Sequence, residues 1–134
     1  MKTKDRKAED LEVKPNAFRK ILKSFSYAGT GIVGFLRAEH NAWVHCLAIV
    51  VVTAAGFCFH IAKNEWIAVI FCFGLVLAAE AFNTAIERLT DLVSPQQSPI
   101  AGNVKDIAAG AVLICAIVAA IIGLIIFIPY FIEP

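Results

Sequence analysis

Glu80, Asn83, Glu87 and Asp91 recur at intervals of three and four residues, which sets them in a row on one face of a helix. Residues 66–79, immediately before them, carry no charge and amount to about 21 Å of apolar helix at 1.5 Å per residue. A run of that kind belongs inside a bilayer, whose hydrocarbon core is about 30 Å thick. An ionisable group there costs about 3 kcal/mol to insert and marks a functional site. Glu80 is such a group. The row behind it leads from membrane depth to the water surface.

A carboxylate pair at a common depth, Glu39 and Glu87, suits a hard cation bound through oxygen, and Mg²⁺ needs only one or two protein carboxylates beside water and phosphate oxygens. Lys20, Arg88 and Lys105 suit a polyanion. Desolvation at the depth of Glu80 would make its carboxylate the better proton acceptor, as a general base requires. Together these groups describe phosphoryl transfer to a hydroxyl that stays in the bilayer. Ion- or proton-coupled transport through an intramembrane glutamate, and a merely structural polar seam between protomers, remain open on the same residues.

Other chemistry finds less support. There is no G-x-x-x-x-G-K-[ST] and no H-E-x-x-H, and Gly29-x-Gly31-x-x-Gly34 follows no strand, so it is no dinucleotide loop. Cys46, Cys58, Cys72 and Cys115 lie in apolar runs without a C-x-x-C pair and read as packing residues. His40 reads as an interfacial residue, and His45 as a helix–helix hydrogen-bond partner. Nucleic acid is not among the expected partners.

The elements that must position this row follow from composition. The chain is 134 residues long and 59% hydrophobic, a membrane composition. Residues 1–15 are charged, aperiodic and read as a basic disordered tail, with no secretory signal expected there. From 16 to about 38, Phe18, Ile21, Leu22, Phe25, Ile32, Val33 and Leu36 recur at helical spacing opposite Arg19, Lys20 and Lys23. This predicts a surface helix lying on an anionic leaflet, loosened at Gly29, Gly31 and Gly34. Three spans are expected at about 41–61, 66–89 and 106–130. Lys63-Asn64-Glu65 would turn between the first two, and a long polar loop would fill 92–104. The fold expected is therefore an all-α membrane protein, a single domain over 16–134.

Nine of the twelve Lys and Arg residues lie at or before Arg37, which makes the N-terminus cytoplasmic by the positive-inside rule. Three spans then put the C-terminus outside. Glu39, Glu80, Glu87, Lys105 and Asp106 converge on the cytoplasmic half, and three helices are too few to shield them from lipid. Oligomerisation is the simplest enclosure.

Glu80-x-x-Asn83-Thr84-Ala85-Ile86-Glu87-x-x-x-Asp91, followed by Lys105-Asp106-x-Ala108-Ala109-Gly110-Ala111-Val112, closely resembles the signature of the prokaryotic diacylglycerol kinase family. The resemblance covers roughly residues 16–130. Phe82 and Thr90 depart from the usual residues and touch packing alone. The family resemblance implies a small three-span homotrimer in the prokaryotic inner membrane, with active sites shared between protomers. It implies ATP as donor with Mg²⁺, Glu80 as catalytic base, and Glu39 and Glu87 as metal ligands. Lys20, Tyr27, Glu39, Asn83, Glu87, Lys105 and Asp106 match positions implied to contact ATP, with 96–98 nearby. The stretch from Arg37 to His45 and the ending 121–129 look more like the undecaprenol kinase branch than the diacylglycerol kinases. Asn41, Trp43 and His45 are the expected lipid contacts beside Glu80.

Overall fold

The computed structural model describes residues 17–96 and 98–132. The tail expected over 1–15 lies outside them, as does Gln97 of the expected nucleotide loop. Four helices follow one another: α1 (Ala17–Ala38), α2 (His40–Cys58), α3 (Lys63–Val93) and α4 (Pro99–Ile132). Three of them, α2, α3 and α4, are long and apolar enough to cross a membrane. The described residues fall into two compact units, divided between Val33 and Gly34.

In the first unit, Phe18, Ile21, Leu22, Phe25, Ile32 and Val33 are all exposed along α1. The helix runs unbroken through its glycines, none of which takes a positive φ. The expected loosening is not seen. A glycine costs about 1 kcal/mol in a helix interior, which weakens a helix without supplying another set of partners for its backbone.

In the second unit, α3 packs chiefly against α4 and more lightly against α2. Val69, Cys72, Val76, Glu80, Asn83 and Thr84 form the buried row of α3, again at steps of three and four. The stripe is apolar up to Val76 and polar from Glu80 onward. Far from that change, Val69 packs with Ile61 and Ile126 in a small core, joined by the Phe59, Phe127 and Tyr130 rings.

The α2–α3 turn differs from the expected one. Lys63-Asn64-Glu65 is the first turn of α3, and the reversal lies at Phe59–Ala62. His60 sits there with φ 54°, in the left-handed region. Its N–H donates to the Phe57 carbonyl at 3.3 Å, and the Ile61 N–H to that of Gly56 at 3.1 Å. This is a Schellman termination with histidine where glycine is usual. Without glycine as a marker, the apolar Phe59 and Ile61 read as span. On the α3 side, the Glu65 carboxylate accepts the Ala62 N–H at 2.7 Å.

The expected long loop is short. α3 runs to Val93 and α4 starts at Pro99, so only 94–98 intervene. Ser98 caps α4, its hydroxyl oxygen accepting the Ala101 N–H at 3.1 Å. Pro99 suits the first helical position, where its missing N–H costs nothing. Pro129 stays within α4, which continues to Ile132.

Candidate active site

Glu39 is the one residue between α1 and α2. Its extended backbone (φ −107°, ψ 118°) makes it the N-cap of α2 without a side-chain cap bond. Its carboxylate instead reaches α3, where the Arg88 guanidinium donates to Oε1 at 3.4 Å. This joins residues 49 positions apart and brings Glu39 to the polar third of α3. The carboxylate of Glu87, on the same helix, accepts from the Asn83 amide at 3.3 Å. Asn83 Oδ1 is fully buried and has no hydrogen-bond partner among the described residues.

Glu80 lies one turn deeper and is only 3% exposed. Its side chain makes no hydrogen bond among the described residues, and Thr84 is buried one turn on. Toward the end of α3, Asp91 Oδ1 accepts from Lys105 Nζ at 2.5 Å, tying α3 to the start of α4. Asp106 is exposed beside it. Glu39, Glu80, Asn83, Glu87 and Lys105 therefore lie along one polar strip, with Arg88 and Asp91 as counter-ions.

Below Glu80 the strip gives way to a groove of about 560 Å³ between α2, α3 and α4, lined by His45, Val52, Val69, Val76, Ala119 and Phe127 among others. Val76, which lines the groove, stands one turn before Glu80, which does not line it. His45 borders the groove and makes no hydrogen bond among the described residues, contrary to the helix–helix partner expected of it. Asn41 is on the same face of α2, one turn earlier. Trp43 is exposed and, two residues from His45, faces away from it. The three expected lipid contacts are therefore not brought together.

Lys20 and Tyr27 belong to the first unit. Seven residues apart on α1, they share the face opposite Phe18, Leu22 and Phe25. Sequence reasoning missed the Arg88–Glu39 and Lys105–Asp91 pairs. Opposite charges were visible, but their partners lie on different elements and no spacing rule connects them.

Among the described residues, no three His, Cys, Asp or Glu side chains gather into a metal cluster. Mg²⁺ asks for less, since one or two carboxylates and a phosphate suffice. Glu39 and Glu87, with the orphaned buried oxygen of Asn83 between Glu80 and Glu87, are an oxygen donor set of the right kind.

Residues 26–127 match the family described as prokaryotic diacylglycerol kinase. This chain belongs to that family. As a member of the prokaryotic diacylglycerol kinases, it is 39% identical over 114 residues to the undecaprenol kinase of Bacillus subtilis strain 168, covering 85% of this chain and 93% of that protein. It is 34% identical over 113 residues to a diacylglycerol kinase of Synechocystis, covering 84% of this chain but 62% of that longer protein. A Sinorhizobium diacylglycerol kinase is 32% identical over 109 residues, 79% of this chain and 76% of the relative. The prokaryotic diacylglycerol kinase family is one of lipid kinases, and the polar strip and groove are the features of this chain on which such an activity would draw.

Proposed function

We propose that the chain transfers the γ-phosphate of ATP to the hydroxyl of a membrane lipid, and that a polyprenol such as undecaprenol is preferred over diacylglycerol. One observation carries the reading. Among the described residues Glu80 is a buried carboxylate without a hydrogen bond, one turn beyond Val76 of the apolar groove and one turn before Asn83 of the polar strip. A lipid alcohol has the same two-part character. Its tail belongs in the groove and its hydroxyl at Glu80, which accepts the proton as the new O–P bond forms and the bond from the γ-phosphorus to the departing ADP oxygen breaks.

Glu39 and Glu87, with Asn83, hold Mg²⁺ in this reading, and the ion, when bound, neutralises charge on the phosphates. Asn83 keeps Glu87 in place through its amide. Lys105, anchored by Asp91, offers a positive charge on the aqueous side. Lys20 and Tyr27 contact ATP from the polar face of α1, whose other face lies in the cytoplasmic leaflet. The N-terminus is cytoplasmic and the C-terminus outside. Three copies form the active assembly, each site completed by a neighbour, since so much polar surface on three helices needs covering. The preference for polyprenol draws on the Arg37 to His45 stretch and on the Bacillus relative, whose name is undecaprenol kinase.

The test is phosphorylation of a panel of lipid alcohols by purified protein in mixed micelles, with labelled ATP and Mg²⁺. Label in lipid, with undecaprenol ahead of diacylglycerol at matched mole fraction, is the expected result. A diacylglycerol preference would reverse the substrate order and keep the kinase. ATP-independent ion flux in liposomes, with no lipid labelling, would overturn the kinase reading itself.

A further inference from the structure

We infer that Arg88 is a two-position cation, holding Glu39 while no divalent ion is bound and passing to the phosphates of the nucleotide when Glu39 turns to the metal. The inference rests on the lipid kinase reading above and adds a phosphate-binding residue to it.

Arg88 follows Glu87 directly, so its backbone is fixed at the level of the proposed metal carboxylates. Among the described residues its guanidinium is the cation in contact with one of them, at 3.4 Å from Glu39 Oε1. The pair is easily exchanged. The Arg88 side chain is 57% exposed and that of Glu39 29%, and exposed ion pairs contribute little net stability. Lys105 differs in its shorter contact with Asp91, 2.5 Å, although Asp91 is itself 66% exposed. An arginine cannot leave by losing its proton, because it stays charged at any physiological pH. A competing cation for Glu39 can displace it.

Charge balance gives the displacement a direction. Glu39, Glu80 and Glu87 put three carboxylates in the strip, and Asn83 between them is neutral. A triphosphate approaching that strip is repelled unless cations arrive with it. When a divalent ion takes Glu39, the guanidinium is released at the place where phosphate oxygens come in. Its planar fork suits those oxygens in a bidentate manner that a lysine cannot reproduce. Arg88 then offsets one carboxylate in the free site and part of the phosphate charge in the loaded one, serving each in turn.

The full-length protein in detergent micelles tests this through two binding measurements independent of turnover. Mn²⁺ affinity without nucleotide is read from the electron paramagnetic resonance of free Mn²⁺, and nucleotide affinity by calorimetry with a non-hydrolysable ATP analogue. Arg88→Gln should bind Mn²⁺ more tightly, by up to about fivefold, because the competitor for Glu39 is gone. It should bind the analogue about tenfold or more weakly. Arg88→Lys keeps the charge but loses the fork, so Mn²⁺ affinity should hold while analogue affinity falls severalfold. Opposite movement of the two affinities supports the exchange. Joint weakening, as a structural role would give, or no change in either overturns it. If Arg88→Gln does not fold, unchanged analogue binding by Arg88→Lys overturns it. A native protein that phosphorylates no lipid removes the kinase reading instead, and one that binds neither Mn²⁺ nor analogue removes both.

Discussion

Glu80 and Asn83 are unusual because both are buried and, among the described residues, the Glu80 side chain makes no hydrogen bond and that of Asn83 only one. A buried polar atom without a partner costs about 1–3 kcal/mol, and Asn83 Oδ1 is one. A kinase can carry that cost if the atom meets its partner in the loaded state. Glu80→Gln keeps the volume and removes the proton acceptor, so turnover should fall by on the order of 10²–10⁴-fold. Lipid phosphorylation rates on protein of native elution volume will measure this, and near-native rates would remove Glu80 as the base. Glu87→Ala deletes a carboxylate and leaves the Asn83 amide without its acceptor. It should shift the Mg²⁺ activation curve to higher concentration while the lipid KM stays within about twofold, as expected when only the metal side is weakened. These residues were legible in the sequence because the spacing along one helix is itself the signal. The Glu39–Arg88 pair beside them was not, because it joins the α1–α2 junction to α3 across 49 positions.

The elements show where sequence reasoning is strong and where it fails. Apolar runs of this length predict spans, and α2, α3 and α4 are all present. Their ends moved because caps decide ends, and two caps here were disguised. His60 stands in for the usual glycine, and Ser98-Pro99 starts a helix although the pair reads as loop. Left-handed backbone costs a non-glycine residue about 1–2 kcal/mol, so His60→Gly should raise thermal stability by about 1 kcal/mol, measured by circular dichroism in detergent. Close to that turn, a Cβ at Gly56 would stand 2.8 Å from the Trp66 ring and 3.1 Å from Ile61. The ring is itself packed on Phe57 at a centroid distance of 4.9 Å, so it has little freedom to yield. Gly56→Val should cost about 2 kcal/mol by overpacking, and Trp66→Leu in the same chain should recover part of it. On α2, His45 borders the groove and Trp43 does not. His45→Leu should therefore change the ratio of polyprenol to diacylglycerol phosphorylation more than Trp43→Leu does, measured in the same micelles. Equal effects would move the lipid path away from the groove.

At the scale of the second unit, α3 and α4 are joined at both ends. Lys105 meets Asp91 at one end. At the other, the Tyr130 hydroxyl donates to Glu65 Oε2 at 2.7 Å, the same oxygen that receives the Ala62 N–H. The two joints lie roughly 39 Å apart along α3 and about 38 Å apart along α4, at 1.5 Å per residue. That length exceeds a hydrocarbon core of about 30 Å and falls just short of the full bilayer with its headgroups. Each joint therefore belongs in a headgroup layer, where its polar atoms are wet. Because the two lengths match, neither helix can slide along the other without breaking a joint. The pair thus acts as a ruler of fixed length. Membranes of different thickness must be met by leaning the ruler, and every degree of lean changes how far Glu80 lies beneath the surface on which ATP arrives.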